Sequence, residues 1–530
     1  MTPPPSRGRL LALATGLVAC GVLAANTTVY WRSLRVSDVP SSRRYWEDMG
    51  VATHLYLDAV DPEGRLPGLP SEQLAEAAKA CQTIVRKIVK RDRIEPWQFW
   101  RSIGPRLFEE IRDKLTPGRA FEDQGRSRIL AMAFRVLGGI SPFFLLWMGA
   151  LAAAPLLVWL AWELWGCSHG LAGSLFLALF VLSPFVAGVL SLPHGGVGFC
   201  LVGFLALLAV AAHGILGRPS LASLALRALA AGGVFALAAL CRGSVLLLAG
   251  GFVAAFVLAG RRLGRPVVVT LVGSALTFGP YVLVRPPEHH NVWPSIWEGL
   301  GDFDREKGYV WSDRAAKAAL AQAGVDSGSA ESYGFAGEAC DAFFRGKVLG
   351  DIRADPLWYA TILAQRLRAT LTQDAAGRYG AEDLSSLPDP TPSEGNIERY
   401  YRLATPVTYL GFGPFRVRVG VAAFALPSLI FLGLWLWGRL DSRPLLRSTE
   451  GPGWMVLVAA VALLPSPLLV TTASALETEM FVLVYSLASA FLLEGLIAFA
   501  WRPRKEASPA DHPGDAVGPK AGESASVVPG

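Results

Sequence analysis

Residues 197–265 read VGFCLVGFLALLAVAAHGILGRPSLASLALRALAAGGVFALAALCRGSVLLLAGGFVAAFVLAGRRLGR. Three apolar runs, Val197 to Ala212, Leu224 to Leu240 and Val245 to Leu258, are separated by short polar connections. Runs of about 17 to 23 apolar residues are long enough to cross ~30 Å of hydrocarbon at ~1.5 Å per helical residue. The connections differ in charge. Arg218 lies between the first two runs and Arg227 at the start of the second, Arg242 stands alone between the second and third, and Arg261, Arg262 and Arg265 follow the third. Alternation of basic-rich and basic-poor short loops is the mark of a chain threaded through a membrane with its arginines kept on one side.

The same reading extends to the rest of the chain. Further apolar runs lie at Leu10 to Ala25, Pro142 to Leu164, Leu171 to Leu190, Val267 to Val284, Val419 to Trp437, Trp454 to Val470 and Met480 to Ala500. The expected fold is an all-α polytopic membrane protein of about ten spans. With Arg7 and Arg9 on the cytoplasmic side, Arg439, Arg443 and Arg447, and then Arg502, Arg504 and Lys505, also fall there. Both termini are then cytoplasmic, and a bacterial inner membrane is the expected location. The hydrophobic share of 52% with 17% charged residues supports the class, as does a mean hydropathy of +0.38. The net charge of +6 records topology and does not argue for nucleic acid.

This map divides the chain into a first span (1–25), an extracytoplasmic segment with amphipathic helices (26–141) and a bundle of six spans (142–284). A second extracytoplasmic, mostly helical segment (285–418), three further spans (419–500) and a disordered cytoplasmic tail (501–530) follow. In the first segment, apolar stripes over Ser71 to Arg91, Pro96 to Leu115 and Arg126 to Leu137 recur at helical spacing. Trp on one face and Arg on the other suit the headgroup layer, and a small helical core fits the same stripes. The start of the chain also resembles a signal peptide. Asn26-Thr27-Thr28 fits a glycosylation sequon. The six cysteines have no metal-ligand spacing, and Cys81 and Cys340 are the two that fall in the outer segments.

No Walker loop, HExxH, CxxC or strand-borne GxSxG occurs. Candidate residues come instead from polar groups that the map gathers at one depth on the outer face. Asp38, Arg43, Arg44, Glu47 and Asp48 follow the first span, and His194 lies in Pro193-His194-Gly195-Gly196. Arg242 sits at the outer end of two spans, and Glu477 and Glu479 precede the last span. Glu494 lies about 10 Å inside that span, where an acid is normally satisfied by bundle partners.

The layout resembles the GT-C superfamily of glycosyltransferases. The likeness rests on one span, a large outer loop with early acids, a helix bundle, a second outer region and a few more spans. Locally it rests on Ser183-Pro184-Phe185 through Leu192-Pro193-His194, on Trp297-Glu298-Gly299-Leu300-Gly301 with Tyr309 and Trp311-Ser312-Asp313, and on Asp355-Pro356. The resemblance implies a transferase moving a sugar from a polyprenyl-phosphate carrier to a glycan, lipid or protein acceptor at the extracytoplasmic face. Asp48 is then the expected base, Asp38 the rival and Glu47 a neighbour with a separate role. Arg242 would receive the lipid phosphate, with Arg43, Arg44, His194, Glu477 and Glu479 lining the site. Many members carry an acid where this chain has His194, so a divalent metal stays open without support from the residues, and no tightly bound cofactor is indicated. A transporter or flippase and a non-catalytic assembly protein remain open alternatives.

Overall fold

The computed structural model describes residues 5–33, 125–137, 144–191, 198–217, 220–243, 245–255, 292–304, 306–310, 313–325, 338–372, 407–412, 415–420, 422–440, 449–470 and 476–501. The helices in chain order are α1 (Pro5–Ser33), α2 (Gly125–Leu137), α3 (Phe144–Gly166), α4 (Gly170–Val181), α5 (Pro184–Ser191) and α6 (Gly198–Ala211). A π-helical turn (Ala212–Leu216) extends α6 and leads to α7 (Leu221–Cys241) and α8 (Val245–Ala255). Beyond them lie α9 (Val292–Leu300), α10 (Asp313–Gln322), α11 (Glu338–Ala354) and α12 (Pro356–Thr372). The chain then forms a hairpin of β1 (Val407–Phe412) and β2 (Phe415–Gly420), and closes with α13 (Ala422–Leu440), α14 (Glu450–Leu463), α15 (Pro465–Leu469) and α16 (Leu476–Ala500).

Six described helices are long and apolar enough to cross a membrane: Arg7–Thr28, Trp147–Gly166, Gly198–Leu216, Leu221–Cys241, Glu450–Leu469 and Met480–Ala500. Shorter apolar helices occupy Gly170–Val181, Val245–Ala255 and Ala422–Gly438. The protein is therefore an integral membrane protein of mainly helical build. The expected run Val267 to Val284 lies outside the described residues.

Contacts fix the direction of each helix. Gly16 of α1 lies against α3 so closely that a Cβ there would be 2.7 Å from the Val158 Cα. Cys20 Sγ donates to the Ala154 carbonyl at 3.2 Å, so α1 and α3 run antiparallel. At one end of the bundle the Arg9 guanidinium rests 5.6 Å from the Trp162 ring; this is the Arg9 end. At the opposite end Asn26 Nδ2 donates to the Val181 carbonyl at 3.0 Å; this is the Asn26 end. Asn26 is buried, so its amide is occupied by packing and is not presented as a glycan acceptor.

The expected span from Leu171 to Leu190 is divided. α4 stops at Val181 and α5 begins at Pro184, because proline offers no N–H and its ring clashes with the carbonyl four residues earlier in a continuous helix. The Ala187 N–H bonds to the Ser183 carbonyl at 3.2 Å as the first hydrogen bond of α5, so Ser183 is where the second piece begins.

A second core lies outside the bundle. Trp297, Leu300, Tyr309, Leu320, Cys340, Phe344, Val348, Trp358 and Ile362 are buried together across α9 to α12. The entry to α12 is set by Asp355, whose Oδ1 accepts from the Trp358 N–H at 2.9 Å with Pro356 as the first helical residue. This unit docks on the Asn26 end: the Tyr485 hydroxyl of α16 donates to the Leu371 carbonyl of α12 at 2.6 Å. The antiparallel hairpin, in register Tyr409 to Arg418 and Phe412 to Phe415, packs on α5 and leads into α13. It is a departure from the expected helical content of the segment 285–418. Val407, Tyr409, Val417 and Val419 have strand character, but alternation over six residues is a weak signal between long helical patterns.

Candidate functional site

Of the outer-face polar groups that the sequence singles out, Arg242, Glu477 and Glu479 fall on described helix ends, each at the Asn26 end. Arg242 caps α7, its N–H bonded to the Ala238 carbonyl at 2.9 Å and its own carbonyl accepting from Val245 at 3.1 Å. It therefore occupies the tight turn between α7 and α8. Glu477 and Glu479 stand in the first turn of α16, which begins at Leu476, just ahead of its apolar span Met480–Ala500. Acidic residues suit that place because they complement the positive end of the helix dipole. Asp38, Arg43, Arg44, Glu47, Asp48 and His194 lie outside the described residues, as do Cys81 and the stripes over 71–115. The chain continues toward Asp38 from the end of α1 at Ser33 and toward His194 from the end of α5 at Ser191. Both of those helix termini are at the Asn26 end.

α2 approaches the same place. A Cβ on Gly125 would lie 2.5 Å from the Leu240 carbonyl oxygen, so glycine is what lets the start of α2 touch the last turn of α7. That contact buries Arg126 beside the turn that carries Arg242. Leu130 and Phe134 face the bundle core while Met132 and Val136 are exposed, the two-faced pattern of an amphipathic helix packed on one side.

The sequence reading missed the most deeply buried cation among the described residues, Arg366 of α12. It is wholly inaccessible, its Nη1 donates to the Leu468 carbonyl at 2.8 Å, and its Nε lies 4.0 Å from Oδ2 of Asp302, itself wholly buried. Leu468 belongs to α15, so this guanidinium joins the outer unit to the bundle. A signal was available: Trp358, Ile362 and Arg366 fall at i, i+4 and i+8, which puts an arginine on the apolar stripe of its helix.

Asp302 is followed by a second buried acid, Asp304. Its carboxylate accepts from the backbone N–H groups of Glu306, Lys307 and Tyr309 and from the Trp358 indole at 2.9 Å. Burial pushes its pKa up, but these donors outweigh burial and hold it below the usual carboxylate range. Lys307 lies 5.0 Å from the Trp358 ring. The Tyr309 hydroxyl donates to Asp351, and burial followed by that carboxylate raises the phenol pKa. Cys340 is a free thiol inside this core, its pKa pushed up to about 11 by burial and then by Asp341.

Among the described residues no three His, Cys, Asp or Glu side chains are grouped to hold a metal ion. The Arg9 end carries two histidine–carboxylate contacts. His169 Nδ1 is 2.7 Å from Glu494, which also accepts from the Ala172 N–H at 3.1 Å. The intramembrane acid Glu494 is thus satisfied by bundle partners, as expected. The second contact joins His213 to Glu163 at 2.8 Å.

Compared with known protein families, characterised proteins and solved structures, the chain matches none.

Proposed function

We propose that the protein is a membrane-embedded transferase of the GT-C kind, moving a sugar from a polyprenyl-phosphate carrier to an acceptor at the Asn26 end. The observation that carries the reading is the docking of a separately cored helical unit onto one end of an apolar bundle. The buried guanidinium of Arg366 stands at that junction, and Arg242 lies at the same end of the bundle. Arg366 acts there as a structural joint, wholly buried, while Arg242 is the cation that would offset the charge of a lipid-borne leaving phosphate in the headgroup layer. In this reading the chain makes ten crossings of a bacterial inner membrane, with both termini cytoplasmic and the Asn26 end outside.

Asp48 serves as the base that takes the acceptor's hydroxyl proton, with Asp38 as its rival and Glu47 beside it. Arg242 receives the departing phosphate, and Arg43, Arg44, His194, Glu477 and Glu479 line the approach. The break between Val181 and Pro184 gives one specific ground for a transporter, since broken spans are a feature of that class.

The test is sugar transfer by the full chain reconstituted in liposomes with a polyprenyl-phosphate sugar. Asp48→Asn keeps the side chain's shape and removes the proton acceptor, so turnover should fall about 10²- to 10⁴-fold with membrane insertion intact. Full activity of Asp48→Asn with loss in Asp38→Asn would move the base to Asp38. Protein-dependent movement of the lipid between leaflets without transfer would establish the transporter instead.

A further inference from the structure

The Arg9 end holds a polar cluster that transfer at the other end leaves unused. Glu163, in the last turn of α3, is almost wholly buried. Its Oε2 meets His213 Nδ1 at 2.8 Å, while its Oε1 accepts from Arg227 Nε and from the Trp159 indole at 2.9 Å. On the other side of the ring, His213 Nε2 is 3.1 Å from Ser223 Oγ. Arg227 Nη1 donates to that same oxygen at 2.8 Å. His213 owes its place to the π-helical turn over Ala212–Leu216, which adds a residue to the helical repeat; such turns are frequent at functional sites.

Donor and acceptor chemistry assigns the protons. A carboxylate only accepts, so Nδ1 of neutral His213 carries its hydrogen toward Glu163, leaving Nε2 as an acceptor. A guanidinium only donates, so Ser223 Oγ accepts from Arg227 and has its own proton free for Nε2. Hydroxyl, imidazole and carboxylate are thereby linked at distances of 3.1 and 2.8 Å, within the reach expected of a nucleophile, its base and the group that orients the base.

We infer that Ser223 is an activated nucleophile and that this end of the bundle hydrolyses acyl esters presented at the membrane surface. The substrate class follows from placement. Ser223 stands in the first turn of a helix long and apolar enough to span, next to Leu221 and Leu226, which are 46% and 67% exposed. Ester carbonyls of glycerolipids lie at the boundary between hydrocarbon and headgroup, where the first turn of a span sits.

Ser223 Oγ attacks the ester carbonyl carbon as its proton passes to His213 Nε2, and the carbonyl electron pair moves onto oxygen. Arg227 is the cation beside the attacking oxygen. Collapse breaks the ester C–O bond, and the alcohol leaves with the proton from His213. Water then attacks the acyl-serine, giving a proton to His213 that returns to Ser223 as the carboxylic acid departs. Glu163 acts as a positioning residue, holding the ring in the required tautomer.

The full chain in lipid nanodiscs would be treated with an alkyl fluorophosphonate and mapped by peptide mass spectrometry. Attack by Oγ forms a Ser–O–P bond and releases fluoride. The expected result is an adduct on Ser223, reduced about 100-fold or more in His213→Ala, with hydrolysis of a short-chain p-nitrophenyl ester lost in Ser223→Ala. Glu163→Gln should shift the pH profile of labelling, and Glu163→Asp should restore part of the rate. Absence of an adduct on Ser223 in the folded wild-type protein would overturn the proposal. Equal labelling of Ser223 in wild type and His213→Ala would overturn it as well, since the serine would then not be activated by the histidine.

Discussion

Arg366 and Asp304 hold the outer unit in place by opposite means. Arg366 is buried with Asp302 beside it and the Leu468 carbonyl ahead. Truncating one member of a buried pair leaves the other charge uncompensated, at about 3–5 kcal/mol. Arg366→Ala should therefore release the outer unit to limited proteolysis, whereas Arg366→Met combined with Asp302→Leu should lose much less. Asp304 instead binds charge through N–H donors, and its depressed pKa gives the sign of the pH response. Its contribution is fully present above the unfolded-state value of about 3.9 and is lost as pH falls through the lower folded value. Fluorescence of Trp297 and Trp358 should report loosening of the unit in acid; Asp304→Asn should be loosened already at neutral pH and show less change there. The stripe position of Arg366 was legible in the sequence. Its partners were not, because they lie 64 and 102 residues away in the chain and no local pattern connects them.

Between α1 and α3 the spacing depends on Gly16. Lipid chains are as apolar as the side chains they would replace, so spans associate through close packing, and small residues allow it. A leucine at Gly16 would place atoms where the Val158 Cα and side chain already are, and overpacking of this kind costs about 1–3 kcal/mol. Gly16→Leu should lower the unfolding temperature in detergent, while Gly21→Leu, where a Cβ meets nothing within 4 Å, should leave it nearly unchanged. Elements were the most legible scale of this chain. Helices at Arg7–Thr28, Gly198–Leu216, Leu221–Cys241 and Met480–Ala500 fall on the apolar runs, because length and apolarity are local properties. The π turn at His213 and the pairing of β1 with β2 were not legible. Each depends on contacts across the fold: Glu163 draws the histidine in, and α5 supports the hairpin.

The arrangement of the whole molecule separates its two ends chemically. α1 leaves the bundle at the Asn26 end, α2 lies there, and α12 docks there. The Arg9 end instead carries Arg9, Arg227 and the histidine–carboxylate contacts. Short basic connections are retained in the cytoplasm, while long segments translocate regardless of charge; in the proposed orientation the Asn26 end therefore faces outward. Alkaline phosphatase is active only after export, so a fusion near Ala330, between α10 and α11 in the sequence, should be active. One placed after Lys505, beyond the opposite end of α16, should be inactive, because α16 carries Tyr485 at the docked end and Glu494 toward the other. The reverse pair of activities would invert the molecule in the membrane and place the candidate transfer site in the cytoplasm. Two active fusions would leave α16 unable to separate the ends, and its assignment as a span would fail.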